Sequence, residues 1–118
     1  MQIAMIGTGY VGLVTGACFS EFGAVVTCID SDKVKIERLN NGEIPIFEPG
    51  LEALVQSNVK AGRLSFSFDL RTAVANSDAV FIAVGTPSRR GDGHADLTYV
   101  FSAAKEIAEA LDGYTLVV

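Results

Sequence analysis

Apolar residues along this chain fall into short continuous runs, separated by stretches with a three-to-four-residue rhythm. Ile3-Ala4-Met5-Ile6 has the continuity of a parallel strand buried on both faces. A helix is predicted over Tyr10 to Phe22, with Val11, Val14, Ala17 and Cys18 on its apolar face and Gly23 as its stop. Val25 to Ile29 is a second apolar run. Ser31 or Asp32 can cap the helix after it, which ends at Asn40-Asn41-Gly42. Leu51, Leu54 and Val55 mark a further helix, ending at Ala61-Gly62. Leu64, Phe66 and Phe68 then alternate with Ser65 and Ser67, the pattern of a sheet-edge strand with one wetter face. A short helix around Leu70 to Ala75 leads to Asp78–Val84, the most apolar run. Leu97, Val100, Phe101, Ala104, Ile107, Ala108 and Leu111 give the last helix a regular apolar face behind Asp96 as its cap. Tyr114 to Val118 reads as the middle of another buried strand.

Strands alternating with helices predict an α/β fold, a Rossmann-like doubly wound parallel sheet with strand order 3-2-1-4-5, truncated in or after the fifth strand. At 118 residues the chain is at most one domain, residues 1–118. A native protein rarely stops where a site-building loop should follow, so the chain is expected to be the amino-terminal piece of something longer.

Gly7, Gly9 and Gly12 stand in GxGxxG spacing between the first strand and the first helix. Gly7 permits the tight turn, Gly9 lets the backbone approach a pyrophosphate, and Gly12 lets the helix sit close to the first strand, with Gly16 extending the contact. Free N–H groups and the positive end of the helix dipole favour an anion there. Asp30 closes the second strand about 20 residues on, where an acid accepts hydrogen bonds from the adenine-side ribose. A carboxylate there repels a 2′-phosphate and no Arg stands beside it, so NAD is favoured over NADP. The bland alternative, a turn with helix-packing glycines, accounts for Gly12 and Gly16 but gives no reason for Asp30.

Other residues carry weaker signals. Lys35 could lean over the ribose and its phosphate, or simply be solvated. Ile44 to Leu51 holds Pro45 and Pro49 in a connecting loop; the prolines stiffen it, and Ile46 and Phe47 are expected to pin it to the body. Glu48 reads as a cap for the following helix rather than a functional acid. The first and fourth strands should be neighbours, which places Thr86 opposite the glycine loop, although a threonine before a proline is also an ordinary turn residue. Asp92, His94 and Asp96 alternate in the loop from Ser88 to Asp96, but the remaining ligands of a calcium or zinc site are missing. Cys18 and Cys28 sit among apolar neighbours and read as packing rather than nucleophiles.

Composition narrows the classes. A formal charge of −5 with no basic stripe argues against a nucleic-acid surface. The longest apolar runs are far shorter than a membrane span and no leader pattern precedes the first strand, so a cytoplasmic protein with no membrane partner is expected. Two cysteines make no disulfide framework.

Taken together, MQIAMIGTGYVGLVTG, IDSDKVKIERLNNGEIPIFEPGLE, DAVFIAVGTPS and GDGHADLTYV resemble the nucleotide-sugar 6-dehydrogenases over the whole chain, and among them most the members that act on UDP-glucose. GYVG, IPIFEPGL and GTPS are far more specific than the glycine pattern alone. The resemblance implies that the loop of Gly7, Gly9, Tyr10, Val11 and Gly12 holds the pyrophosphate of NAD. It implies that Asp30 binds the ribose with help from Lys35, and that the turn Val84-Gly85-Thr86 contacts the cofactor. It further implies oxidation of a sugar C6 hydroxyl to a carboxylate with two NAD, through an aldehyde and a cysteine-bound intermediate. The family's nucleophilic cysteine and uridine-binding residues have no counterpart here, so this piece alone is expected to bind NAD without turnover, and the full-length protein to form a homodimer. GDP-mannose or a UDP-N-acetylhexosamine remain alternative substrates. A stand-alone non-catalytic nucleotide-binding module, or a fold serving another chemistry such as methyl transfer, are alternatives of a different class.

Overall fold

β1 (Gln2–Ile6) carries an apolar side chain on each face in turn, and this places it at the centre of the molecule. In the computed structural model of the chain, which describes residues 1–118, Ile3 and Met5 are buried on one side of the sheet and Ala4 and Ile6 on the other. The remaining elements follow as α1 (Tyr10–Glu21), β2 (Val25–Ile29), α2 (Lys33–Asn40), α3 (Leu51–Lys60), β3 (Leu64–Ser67), α4 (Leu70–Ala75), β4 (Ala79–Ile82), α5 (Thr98–Ala110) and β5 (Leu116–Val117). The sheet has five strands in the order β3-β2-β1-β4-β5, every neighbouring pair parallel, as the alternating pattern predicts.

Two cores sandwich that sheet. Leu13 and Ala17 of α1, Ile36 and Leu39 of α2, and Leu51 and Val55 of α3 pack on Met5, Val26, Cys28 and Phe66. On the opposite face Val74 of α4 and Ala103, Ile107 and Ala110 of α5 pack on Ala4, Ile6, Ile29 and Val80. Helices on both faces of a parallel sheet are the doubly wound arrangement. No helix is long and apolar enough to cross a membrane.

Several local expectations are corrected. The buried face of α1 is Gly12, Leu13, Gly16, Ala17 and Ser20, while Val11 is 64% exposed. Ala17 is buried as expected and Val14 packs on the core, but the helix turns toward Leu13 and a stripe of small residues, so a Cβ on Gly16 would lie 2.7 Å from Cys28 Sγ. Ile44 and Ile46 pin the proline loop, but Phe47 is 95% exposed. Gly50, with φ +83°, is the N-cap of α3, and the Glu48 side chain turns away from it. Asp96 stands one residue before the N-cap Leu97 of α5, although its Oδ1 still accepts the Thr98 N–H at 2.9 Å. α5 turns Ala103, Ile107 and Ala110 to the sheet and leaves Phe101, Ala104 and Ala108 in solvent. β4 is shorter than the apolar run, because beyond Ala83 the chain swings past the glycine turn and leaves the ladder. Phe68 lies past the end of β3, with the Lys33 ammonium 4.9 Å from its ring centroid. β5 is a two-residue exposed edge rather than a buried strand, since β4 alone flanks it.

Candidate functional site

The chain reverses its winding between β1 and β4, and the crevice at the carboxyl ends of those strands is where open α/β sheets bind ligands. A cleft of about 960 Å³ occupies that place. Its floor is the turn after β1. Gly7 has φ +109°, and a Cβ there would fall on the carbonyl oxygen of Ala83, so only glycine lets the two turns pass each other. A Cβ on Gly12 would fall on the carbonyl oxygen of Gly7, which seats the start of α1 directly behind the turn. Gly9 differs: a Cβ there would meet no protein atom within 4 Å. The bare backbone at Gly9 therefore faces open cleft, the cradle that a phosphate group approaching closely requires.

No side chain caps α1 and no acid stands in its first turn. Its positive end faces the same opening, which suits an anion.

Asp30 lies just past β2, beside the glycine turn. The Thr8 hydroxyl donates to its Oδ2 at 2.6 Å and the Thr8 N–H donates to the same oxygen at 3.2 Å. The Asp32 N–H donates to Oδ1 at 3.0 Å, and Lys35 Nζ is 3.6 Å from Oδ2. Burial pushes the pKa of this carboxyl up, but the Thr8 and Asp32 hydrogen bonds and the Lys35 charge outweigh it and hold the group below the usual carboxylate range. Asp32 also caps α2 through the N–H groups of Val34 and Lys35, which fixes Lys35 where it can reach back.

The structure thus brings Gly7, Gly9, Tyr10 and Val11 to one wall of the cleft and Asp30 and Lys35 to one end. Val84, Gly85 and Thr86 also line the cleft, with Val84 N 3.2 Å from where a Cβ on Gly7 would stand. Gly12 alone among the sequence-derived positions is buried beneath the turn and lines nothing. The residues fit a dinucleotide: an open phosphate cradle, a carboxylate with lone pairs to spare, and a basic partner sit along one continuous groove.

Other residues of the site are not visible in the pattern. Thr8 is completely buried between two glycines, and its signal is that a buried hydroxyl needs a partner. Tyr99, Ser102 and Glu106 of α5 and Phe68 also line the cleft, and nothing in their local sequence marks them. The Tyr10 hydroxyl donates to Glu48 at 2.8 Å, so the acid read as a helix cap reaches the phosphate end of α1 instead. In the loop from Ser88 to Asp96, Asp92 pairs with Arg89, and no group of three His, Cys, Asp or Glu converges there or elsewhere. Cys28 is buried and its thiol is pushed up to about 12, while Cys18 is half-buried within α1; neither has the accessible electropositive setting of a nucleophile.

Comparison with known proteins follows the same lines. The model of the UDP-glucose/GDP-mannose dehydrogenase family, NAD binding domain, matches residues 1–118. UDP-glucose 6-dehydrogenase of Rhizobium meliloti (strain 1021) is 67% identical over 118 residues, covering 100% of this chain and 27% of that protein. The 1.55 Å crystal structure of a ternary complex of GDP-mannose dehydrogenase from Pseudomonas aeruginosa superposes with TM-score 0.88 and 45% identity, over 93% of this chain and 25% of that one. UDP-N-acetyl-mannosamine dehydrogenase of Staphylococcus aureus superposes with TM-score 0.90 and 30% identity, over 99% of this chain and 28% of that one. The chain spans roughly a quarter of the length of the proteins it matches.

Proposed function

This chain belongs to the UDP-glucose/GDP-mannose dehydrogenase family, as its NAD-binding domain, and from that premise we propose that it is the cofactor-binding part of a UDP-glucose 6-dehydrogenase. The reaction is oxidation of the C6 hydroxyl of UDP-glucose to the carboxylate of UDP-glucuronate, a precursor for polysaccharide synthesis in the cytoplasm. NAD supplies the hydride acceptor, and two are reduced per sugar.

One observation carries the reading: Gly9, open to the cleft, and Asp30, held ionised beside it, lie along one groove at the switch point of the sheet. In that groove the first-turn N–H groups at Tyr10 and Val11 receive the pyrophosphate, with Gly12 seating the helix behind them. Asp30 accepts from the ribose hydroxyls, and Lys35 neutralises the charge gathered around it. Val84, Gly85 and Thr86 contact the cofactor from the turn after β4. Cys18 and Cys28 take no part, so the nucleophile comes from the remainder of a longer chain, which forms a homodimer.

The higher identity to the Rhizobium enzyme than to the two structural relatives supports UDP-glucose over GDP-mannose or a UDP-N-acetylhexosamine. The test is NADH formation by the full-length protein with each of the three sugar nucleotides. We expect turnover with UDP-glucose, at two NADH per sugar. Preference for another sugar would replace the substrate, and NAD binding without turnover on any of them would make the protein a non-catalytic module.

A further inference from the structure

Thr8 is the only side chain between Gly7 and Gly9, and it is completely buried beneath the floor of the cleft. Its hydroxyl has one partner, Asp30 Oδ2 at 2.6 Å, and its own N–H reaches the same oxygen at 3.2 Å. Oδ1 is tied separately to the Asp32 N–H at 3.0 Å. The carboxylate is therefore held at both oxygens, in a residue that lines the cleft. Without the hydroxyl, Oδ2 would keep the Thr8 N–H at 3.2 Å and the full charge of the Lys35 ammonium at 3.6 Å, on a residue that lines the cleft. The carboxylate would then lean toward Lys35, into the space a ribose would fill.

We propose that Thr8 is the positioning residue for coenzyme choice at this site: its hydroxyl pins the Asp30 carboxylate against the glycine turn, aimed at ribose hydroxyls and against a 2′-phosphate. The inference rests on the reading of the cleft as an NAD site. The fully buried Thr8 side chain acts through Asp30. It also opposes the burial of that carboxyl, which by itself favours the protonated form. Valine has the shape of threonine without the donor, and serine keeps the donor without the methyl.

The test is titration of NADH and NADPH into the full-length protein and its Thr8→Val and Thr8→Ser variants, with thermal melts to confirm folding. Thr8→Val should weaken NADH about tenfold, the order expected for one charge-assisted hydrogen bond, and narrow the NADH-to-NADPH ratio. Its NADH affinity should also begin to fall at a higher pH than that of the unsubstituted protein. Thr8→Ser should restore all three. In an Asp30→Ala background Thr8→Val should change affinity less than twofold or so, because the acceptor it acts through is already lost. Equal affinity, ratio and pH profile in Thr8→Val, no rescue by serine, or the same loss in the Asp30→Ala background would each overturn the inference. Failure of the unsubstituted protein to bind NADH would instead overturn the reading of the site.

Discussion

The phenol of Tyr10 donates to the carboxylate of Glu48 at 2.8 Å, and so the GYVG and IPIFEPGL stretches, distant in sequence, meet at the start of α1. The bond links the loop with two prolines to the start of α1. Ile44 and Ile46 anchor it below, and Glu48 ties its tip to the first residue of α1. The phenol's pKa is raised above 10.0 by its hydrogen bond to Glu48 and by that residue's charge.

Glu48→Gln should therefore return Tyr10 to an ordinary tyrosine. Ultraviolet difference titration will follow it, with Tyr10→Phe identifying the phenol that disappears. Because the folded pKa is raised, what this group adds to stability is complete below the unfolded value of about 10 and is lost as pH rises through the folded one. The glutamine variant should lose less stability over that alkaline window. An unchanged titration would mean the bond is absent in solution.

Asp30 has the opposite sign. Its folded pKa is depressed, so its contribution is present above the unfolded value of about 3.9 and disappears as pH falls through the folded one. Asp30→Asn should flatten the acid limb of a stability-versus-pH curve measured by denaturant unfolding. The same variant should bind NAD about tenfold more weakly at neutral pH, by calorimetry. An acid limb that stays as steep would show that other carboxylates dominate it.

Burial raises the Cys28 thiol to about 12 and places it against Gly16 under α1. Under native conditions at neutral to mildly alkaline pH it should not react with a disulfide reagent, and it should become reactive only on unfolding. Half-buried Cys18 should be labelled first. Mass spectrometry of the labelled peptides distinguishes them, and rapid native labelling of Cys28 would contradict the packing.

The sheet and half the site were legible because the strands are continuous apolar runs and the glycines and Asp30 are spaced by the geometry of a bound dinucleotide. The faces of α1 and α5 were not. In α1 the contact surface joins Leu13 and Ala17 to Gly12, Gly16 and Ser20, and those last three carry no hydrophobic signal. In α5 two apolar stripes lie side by side, Val100-Ala103-Ile107-Ala110 and Leu97-Phe101-Ala104-Ala108-Leu111, and periodicity cannot choose between them. Thr8, Glu48 and the α5 lining residues depend on contacts between elements, which no local pattern contains.

The two stripes of α5 give a direct check. Ile107 is buried, so Ile107→Ala should cost about 2–5 kcal/mol. Phe101 is 68% exposed, so Phe101→Ser should stay within about 0.5 kcal/mol. Equal losses in thermal and urea unfolding would mean that both faces are covered in the protein as it exists.

The three glycines of the turn should separate folding from binding. Alanine at Gly7 meets both the positive φ and the Ala83 carbonyl, and alanine at Gly12 meets the carbonyl of Gly7; each is expected to cost roughly 2–4 kcal/mol. Gly9 has ordinary extended angles, φ −73° and ψ −166°, and open space where a Cβ would go. Gly9→Ala should therefore unfold within about 0.5 kcal/mol of the unsubstituted protein. Its methyl group would nonetheless stand where the pyrophosphate must come close, so NAD binding should be weakened tenfold or more, on the order of 1.4 kcal/mol. Unfolding and calorimetry on the same three variants decide the matter. If Gly9→Ala binds NAD normally, the cradle is elsewhere; if it unfolds like the other two, the space beside Gly9 serves the fold and not a ligand.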